Sequence, residues 1–191
     1  MMTAFEALPK NSPAKENRKK RCLIVVDYQN DFVSGSLGFA GAETLEQGIL
    51  REIEKTRSDG GDVLFTLDTH AENYLQTGEG KKLPVAHCLV NTPGHALYGR
   101  VAQAVQPEDI LINKPTFGSA ELFRLLAERA YDTVTLVGLV SHICVLSNAV
   151  LAKTACPEAD VRVIADLTAA ADAALHQAAL DVMRSLQIEI L

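Results

Sequence analysis

A carboxylate, an ammonium and a thiol each stand where a short apolar run of this sequence stops. "CLIVVD" ends on Asp27, "DILIN" is followed by Lys114, and "DTVTLVG" leads into "LVSHICV", which carries Cys144. Together these groups can do nucleophilic chemistry. A thiol titrates near ~8.5 and becomes a good nucleophile at neutral pH beside a cation or a helix N-terminus. Lys114 offers the cation, and a helix expected over 143–154 offers its first amides. Asp27 can accept the thiol proton and deliver it later to a leaving amine. A second set lies nearby in the pattern: "DVLFTLD" ends on Asp68, His70 follows two residues on, and Glu79 and His87 sit in the irregular segment 69–94. Carboxylates and imidazoles suit one divalent ion such as Zn, Fe or Mn. Taken singly, each residue has an ordinary structural reading, as a cap, a satisfied core histidine or a buried free cysteine. Their shared position at the ends of apolar runs is what points to a site.

For these groups to meet, the elements must bring them to one edge. Strands are expected at 22–27, 62–68, 109–113, 132–138, 160–165 and 187–191, alternating with helices at 43–58, roughly 95–105, 119–130, 143–154 and 172–185. Such alternation predicts an α/β fold: a three-layer, doubly wound, Rossmann-like sheet of about six mainly parallel strands with helices on both faces. The first and fourth strands are almost wholly apolar, as central strands buried on both sides should be. In doubly wound sheets ligands bind beyond the carboxyl ends of the strands, where Asp27, Asp68, Lys114 and Cys144 all fall. The segment 69–94 is long for a structureless connection, and such loops are commonly functional.

The chain has 191 residues, 48% of them hydrophobic, enough for one core. Residues 1–20, with prolines and the charge run "KENRKKR", read as a flexible tail, and 21–191 as a single domain. A net charge of −6 repels a polyanion, so a small molecule rather than nucleic acid is the expected partner. No stretch approaches the roughly 20 apolar residues that span a bilayer. Four cysteines without a CxxC pair suit a reducing, cytoplasmic compartment.

The motifs "VVDYQNDF" at 25–32, "NKPTFGS" at 113–119 and "GLVSHICV" at 138–145 resemble those of the isochorismatase-like cysteine hydrolases. Within that family the chain is most similar to nicotinamidases, over roughly residues 22–190. The resemblance implies a triad of Asp27, Lys114 and Cys144. It also implies a cis peptide at Leu139–Val140 that turns the amides of Val140 and Cys144 into an oxyanion hole. One metal ion held by Asp68, His70 and His87, with Glu79 at the family's variable position, would receive the substrate's pyridine nitrogen. The implied reaction is cleavage of a small carboxamide with release of ammonia, foremost nicotinamide to nicotinate, in a homo-oligomer, dimer or tetramer. Two departures bear on the pocket. Ser141 and His142 stand where relatives often have a Thr-Asp pair, and Leu83 or Pro84 where many nicotinamidases have a tryptophan, so Phe32, Tyr74 and Phe117 are expected to line the substrate together with Leu83. His95, His142 and His176 are assigned to structure or surface, and Cys22 and Cys156 to inert positions. The competing readings are an N-carbamoyl amidohydrolase of the same family without metal, and a non-catalytic interaction module.

Overall fold

The computed structural model describes residues 19–191. The expected tail therefore lies outside the described residues except for Lys19 and Lys20, and Lys20 donates its amide to Asp132 at 2.7 Å. Six strands form one sheet: β1 (Arg21–Val26), β2 (Asp62–Asp68), β3 (Ile110–Lys114), β4 (Thr133–Leu139), β5 (Asp160–Ala169) and β6 (Glu189–Ile190). Their order is β3-β2-β1-β4-β5-β6, and every pairing is parallel. The helices are α1 (Asn30–Val33), α2 (Glu46–Ser58), α3 (Gly99–Gln103), α4 (Ala120–Arg129), α5 (Leu146–Ala155) and α6 (Ala173–Ser185).

The strand sequences explain the layers. Successive side chains of a strand point to opposite faces, so a strand apolar at every position serves two cores. In β1, Leu23 and Val25 pack with Phe32 of α1, Ile49 and Ile53 of α2 and Val101 of α3, whereas Ile24 and Val26 pack with Leu122 of α4, Ala149 of α5 and Met183 of α6. Local chemistry starts the helices on the second face. Ser119 caps α4 by accepting the amide of Leu122 at 3.1 Å, and Asp172 caps α6 by accepting those of Ala174 and Leu175.

Several boundaries differ from the sequence expectation. The helix expected at 43–58 opens as a 3-10 turn, Ala42–Leu45, before α2, and the one near 95–105 shrinks to α3 behind the turn Pro93–His95. β5 does not stop at 165 but runs to Ala169, because a register shift between Leu136 and Gly138 of β4 lets extra β5 residues bulge out and then re-pair Thr168 with Gly138. The bulge carries Leu167 against α2, where a Cβ at Gly48 would collide with it. Gly138 itself has φ +108, and a Cβ there would strike the carbonyl oxygen of Val26, so only glycine lets β4 approach β1 this closely beside the site.

Candidate active site

The sheet changes its direction of winding between β1 and β4, the usual place for a crevice in such folds. Asp27 follows β1 in a left-handed backbone conformation, φ 45, and Cys144 follows β4 across a cis peptide at Leu139–Val140. A correction to the expected helix start belongs here. Residues Ser141–Val145 form a wide π turn, with the amide of Val145 donating to the carbonyl of Val140 at 3.2 Å, and α5 begins only at Leu146. Cys144 therefore sits inside the wide turn rather than in the first turn of an α-helix.

Lys114, the last residue of β3, is fully buried among three anionic or nucleophilic groups. Its Nζ donates to Asp68 Oδ1 at 3.1 Å, to the carbonyl of Thr116 at 3.1 Å and to Cys144 Sγ at 3.4 Å, and lies 2.6 Å from Asp27 Oδ2. An ammonium has three hydrogens, so these four neighbours share them. Asp27 Oδ1 accepts the hydroxyl of Thr66 at 2.7 Å, while Oδ2 pairs with the Lys114 ammonium at 2.6 Å. Asp27 is thus held between a hydroxyl and the cation, next to the thiol that shares the same ammonium.

Electrostatics set the resting protonation. Burial pulls the Lys114 pKa down, but the charges of Asp27, Cys144 and Asp68 outweigh it and push it above the ordinary lysine value, so the ammonium persists. Burial raises the Asp27 pKa against the opposing charge of Lys114. For Cys144, burial and then the charge of Asp27 push the thiol well up, with Lys114 opposing. The sequence suggested a cation free to depress the thiol. In the structure that one cation is shared with two carboxylates, so the resting thiol keeps its proton.

Asp68 offers its other oxygen to a different cluster. His70 Nε2 lies 2.9 Å and His87 Nε2 3.3 Å from Asp68 Oδ2, and the same two nitrogens lie 3.7 and 3.8 Å from Glu79 Oε1. One donor atom from each of Asp68, His70, Glu79 and His87 falls within 4.8 Å of all the others. A tetrahedral ion with bonds of about 2.0–2.2 Å sets its donors about 3.3–3.6 Å apart, so this spacing fits a single metal. His87 Nδ1 donates to the carbonyl of Val85 at 2.8 Å, which turns Nε2 toward the cluster, where it would be the atom to hold a metal. Burial tends to raise the Asp68 pKa, but hydrogen bonding to His70 and His87 and the charge of Lys114 outweigh it and hold the carboxyl well below its usual range.

Both clusters open into one cavity of about 230 Å³, walled by Phe32, Leu37, Phe39, Leu83, Phe117, Val140, Ile143 and Ala171 around Asp68, Glu79, His87, His142 and Cys144. Phe32, Leu83 and Phe117, expected to line a substrate, stand in this wall. Tyr74 does not: it is fully buried behind the ligands, its ring 4.7 Å from that of His70 and 4.9 Å from that of His87, and its hydroxyl donates to the carbonyl of Leu83. His142, assigned above to structure or surface, lines the cavity. A second cavity, of about 240 Å³, opens at the opposite end of the sheet, but charged groups in its wall pair with one another, as Arg21 does with Asp59 at 2.9 Å.

Two positioning residues escaped the sequence reading. Gln29 grips Asp68 from both sides, its Nε2 donating to the Asp68 carbonyl at 2.9 Å and its Oε1 accepting the Asp68 amide at 2.7 Å. Asp31 Oδ2 accepts the amide of Cys88 at 2.7 Å and so fixes the residue beside His87. A signal was present, since polar residues recur at every second place in "DYQND".

The model of the isochorismatase domain matches residues 21–191. The chain belongs to the isochorismatase family. Among family relatives, the nicotinamidase/pyrazinamidase of Mycobacterium tuberculosis is 28% identical over 186 residues, covering 89% of this chain and 97% of that one. The structure of a pyrazinamidase/nicotinamidase from Streptococcus mutans superposes with a TM-score of 0.80 at 28% identity, over 90% of this chain and 99% of that one. A Pyrococcus horikoshii pyrazinamidase in complex with zinc gives a TM-score of 0.79 at 25% identity, over 90% and 98%. The all-parallel α/β sheet is thus the fold of those family members.

Proposed function

We propose that the protein hydrolyses the C–N bond of a small carboxamide, foremost nicotinamide to nicotinate and ammonia, with Asp27, Lys114 and Cys144 as its catalytic triad. The observation that carries this reading is one buried Lys114 ammonium in contact with both Cys144 Sγ, at 3.4 Å, and Asp27 Oδ2, at 2.6 Å. When the amide arrives, Cys144 passes its proton to Asp27 Oδ2 and attacks the carbonyl carbon. The oxyanion so formed is held by the amides of Val140 and Cys144. Asp27 then gives the proton to the leaving nitrogen, ammonia departs, and a thioester remains on Cys144. Water, deprotonated by Asp27, attacks the thioester; the carboxylate product leaves and the thiol regains its proton. Lys114 stays cationic and compensates whichever of Asp27 and Cys144 is charged.

A divalent ion held by Asp68, His70, Glu79 and His87 would take up the negative charge of Asp68 and Glu79 and seat a pyridine nitrogen. The same four residues favour this reading over an N-carbamoyl hydrolase, for which no such cluster is required. Ammonia release from nicotinamide, pyrazinamide and carbamoyl amines, with metal content measured in parallel, tests it. Nicotinamide turnover that survives in folded Cys144→Ala would overturn the proposal.

A further inference from the structure

Asn148 lies in the first turn of α5, four residues beyond Cys144, and is fully buried. Its amide is fully engaged there. Oδ1 accepts the amide of Ser119 at 3.0 Å, while Nδ2 donates to the carbonyl of Phe117 at 3.1 Å and to the carbonyl of Cys144 at 2.8 Å. Two carbonyl oxygens can face only the NH2 end and a backbone N–H only the oxygen, so the partners fix which way the amide points. Asparagine is a poor helix former whose burial costs free energy unless every bond is made, and this one caps no helix end. Its three bonds instead join α5 to the segment that follows Lys114. Lys114 Nζ donates to the carbonyl of Thr116 in that same segment at 3.1 Å. A closed ring results: from Nζ to the carbonyl of Thr116, on to that of the next residue, Phe117, through Asn148 Nδ2 to the carbonyl of Cys144, and from Cys144 Sγ back to Nζ at 3.4 Å. The segment also presses close on α5, where a Cβ at Gly118 would lie 2.9 Å from Leu151 Cδ1.

We infer that Asn148 is a positioning residue for the nucleophile: it clamps the Cys144 carbonyl to residues 117–119 and thereby sets the distance between Cys144 Sγ and the Lys114 ammonium. That Cys144 attacks an amide rests on the function proposed above; the ring of hydrogen bonds stands without it.

Iodoacetamide labels a thiol without cleaving an amide, so it reads the clamp separately from turnover. The rate of labelling at Cys144 is followed by peptide mass spectrometry at pH 7 in the parent and in Asn148→Leu, which keeps a side chain of similar size and removes all three bonds. A misplacement of about 1 Å can cost on the order of 10²-fold, so labelling and ammonia release are each expected to slow by about tenfold or more. Asn148→Thr should recover part of both rates, because a threonine hydroxyl can donate to the carbonyl four residues back, as Thr154 does to Val150 at 2.8 Å in the same helix. A merely structural role would lower the urea midpoint and leave the rates of the folded protein in place. Labelling of folded Asn148→Leu within threefold of the parent, or a threonine variant as slow as the leucine one, overturns the assignment. Should Asn148→Leu fail to fold by circular dichroism, Asn148→Ala carries the same comparison. Absence of ammonia release in the parent together with slowed labelling in the variant sinks the amidase reading and leaves Asn148 assigned, and ammonia release with unslowed labelling does the reverse.

Discussion

Lys114 is one cation between two buried carboxylates and a thiol, and this imbalance predicts opposite consequences for its neighbours. Removing the cation leaves Asp27 and Asp68 facing each other without compensation. Lys114→Met should lose about 3–5 kcal/mol of stability, the usual cost of stripping a buried ion pair of one partner, readable as an earlier urea midpoint at unchanged slope. Removing the Asp27 charge is different, because Lys114 keeps Asp68. The Asp27 pKa is raised by folding, so its contribution to stability is complete below the ordinary carboxylate pKa near ~3.9 and is lost as pH rises through the folded value. At neutral pH the native carboxylate is therefore a burden. Asp27→Asn should unfold at least as late as the parent at pH 7, with the difference shrinking toward pH 4, while ammonia release falls by about 10²–10⁴-fold for want of the acid–base group. A variant markedly less stable at pH 7 than at pH 4, relative to the parent, would contradict this account of the charge balance.

The connection from β1 into α1 positions more of the site than its length suggests. Asp27, Gln29 and Asp31 reach in turn the Lys114 ammonium, the backbone of Asp68 and the backbone beside His87. Groups that orient ligands from behind typically change metal affinity by about 10–100-fold when removed, and Asp31→Ala should weaken metal binding by that order. A competition titration against a chelator reads the loss, and turnover at saturating metal should return to within a few-fold of the parent; unchanged affinity would show that the His87–Cys88 turn holds itself. Much of this architecture was legible in the sequence. β1 and β4 announce themselves as apolar runs because both their faces are buried, and Asp27, Asp68, Lys114 and Cys144 were legible because each interrupts or follows such a run. What stayed hidden has a common cause. Tyr74 and His142 lie outside regular repeats, so no periodicity tells which way they point. β5 continues past a bulge whose extra residues break the alternation, and the π turn at Ser141–Val145 has the composition of an ordinary helix start.

Across the whole molecule, the Asp68–His70–Glu79–His87 cluster ties the long connection between β2 and β3 to the sheet. Asp68 ends β2, while His70, Glu79 and His87 lie in the segment that follows, and that segment is stitched to itself by His70 donating its amide to Cys88 at 3.0 Å and Val90 donating to His70 at 2.9 Å. Asp68 and Glu79 bring two carboxylates to the cluster, and the ammonium beside Asp68 is shared with Asp27, so a divalent cation there would relieve repulsion as well as cross-link the chain. The cluster exists only in the folded state, and metal binding is then linked to folding. At free metal 100-fold above its dissociation constant the folded state gains about 2.7 kcal/mol. For a chain of this size each kcal/mol moves the thermal midpoint by about 2–4 °C, so a shift of roughly 5–11 °C is expected on adding zinc, iron(II) or manganese(II) to chelator-stripped protein. Magnesium, which keeps its waters and prefers oxygen ligands, should move it far less. Joint replacement of His70 and His87 by alanine removes both imidazoles and should abolish the shift; a midpoint indifferent to all three metals, or an equal shift in the double variant, would detach metal binding from these four residues.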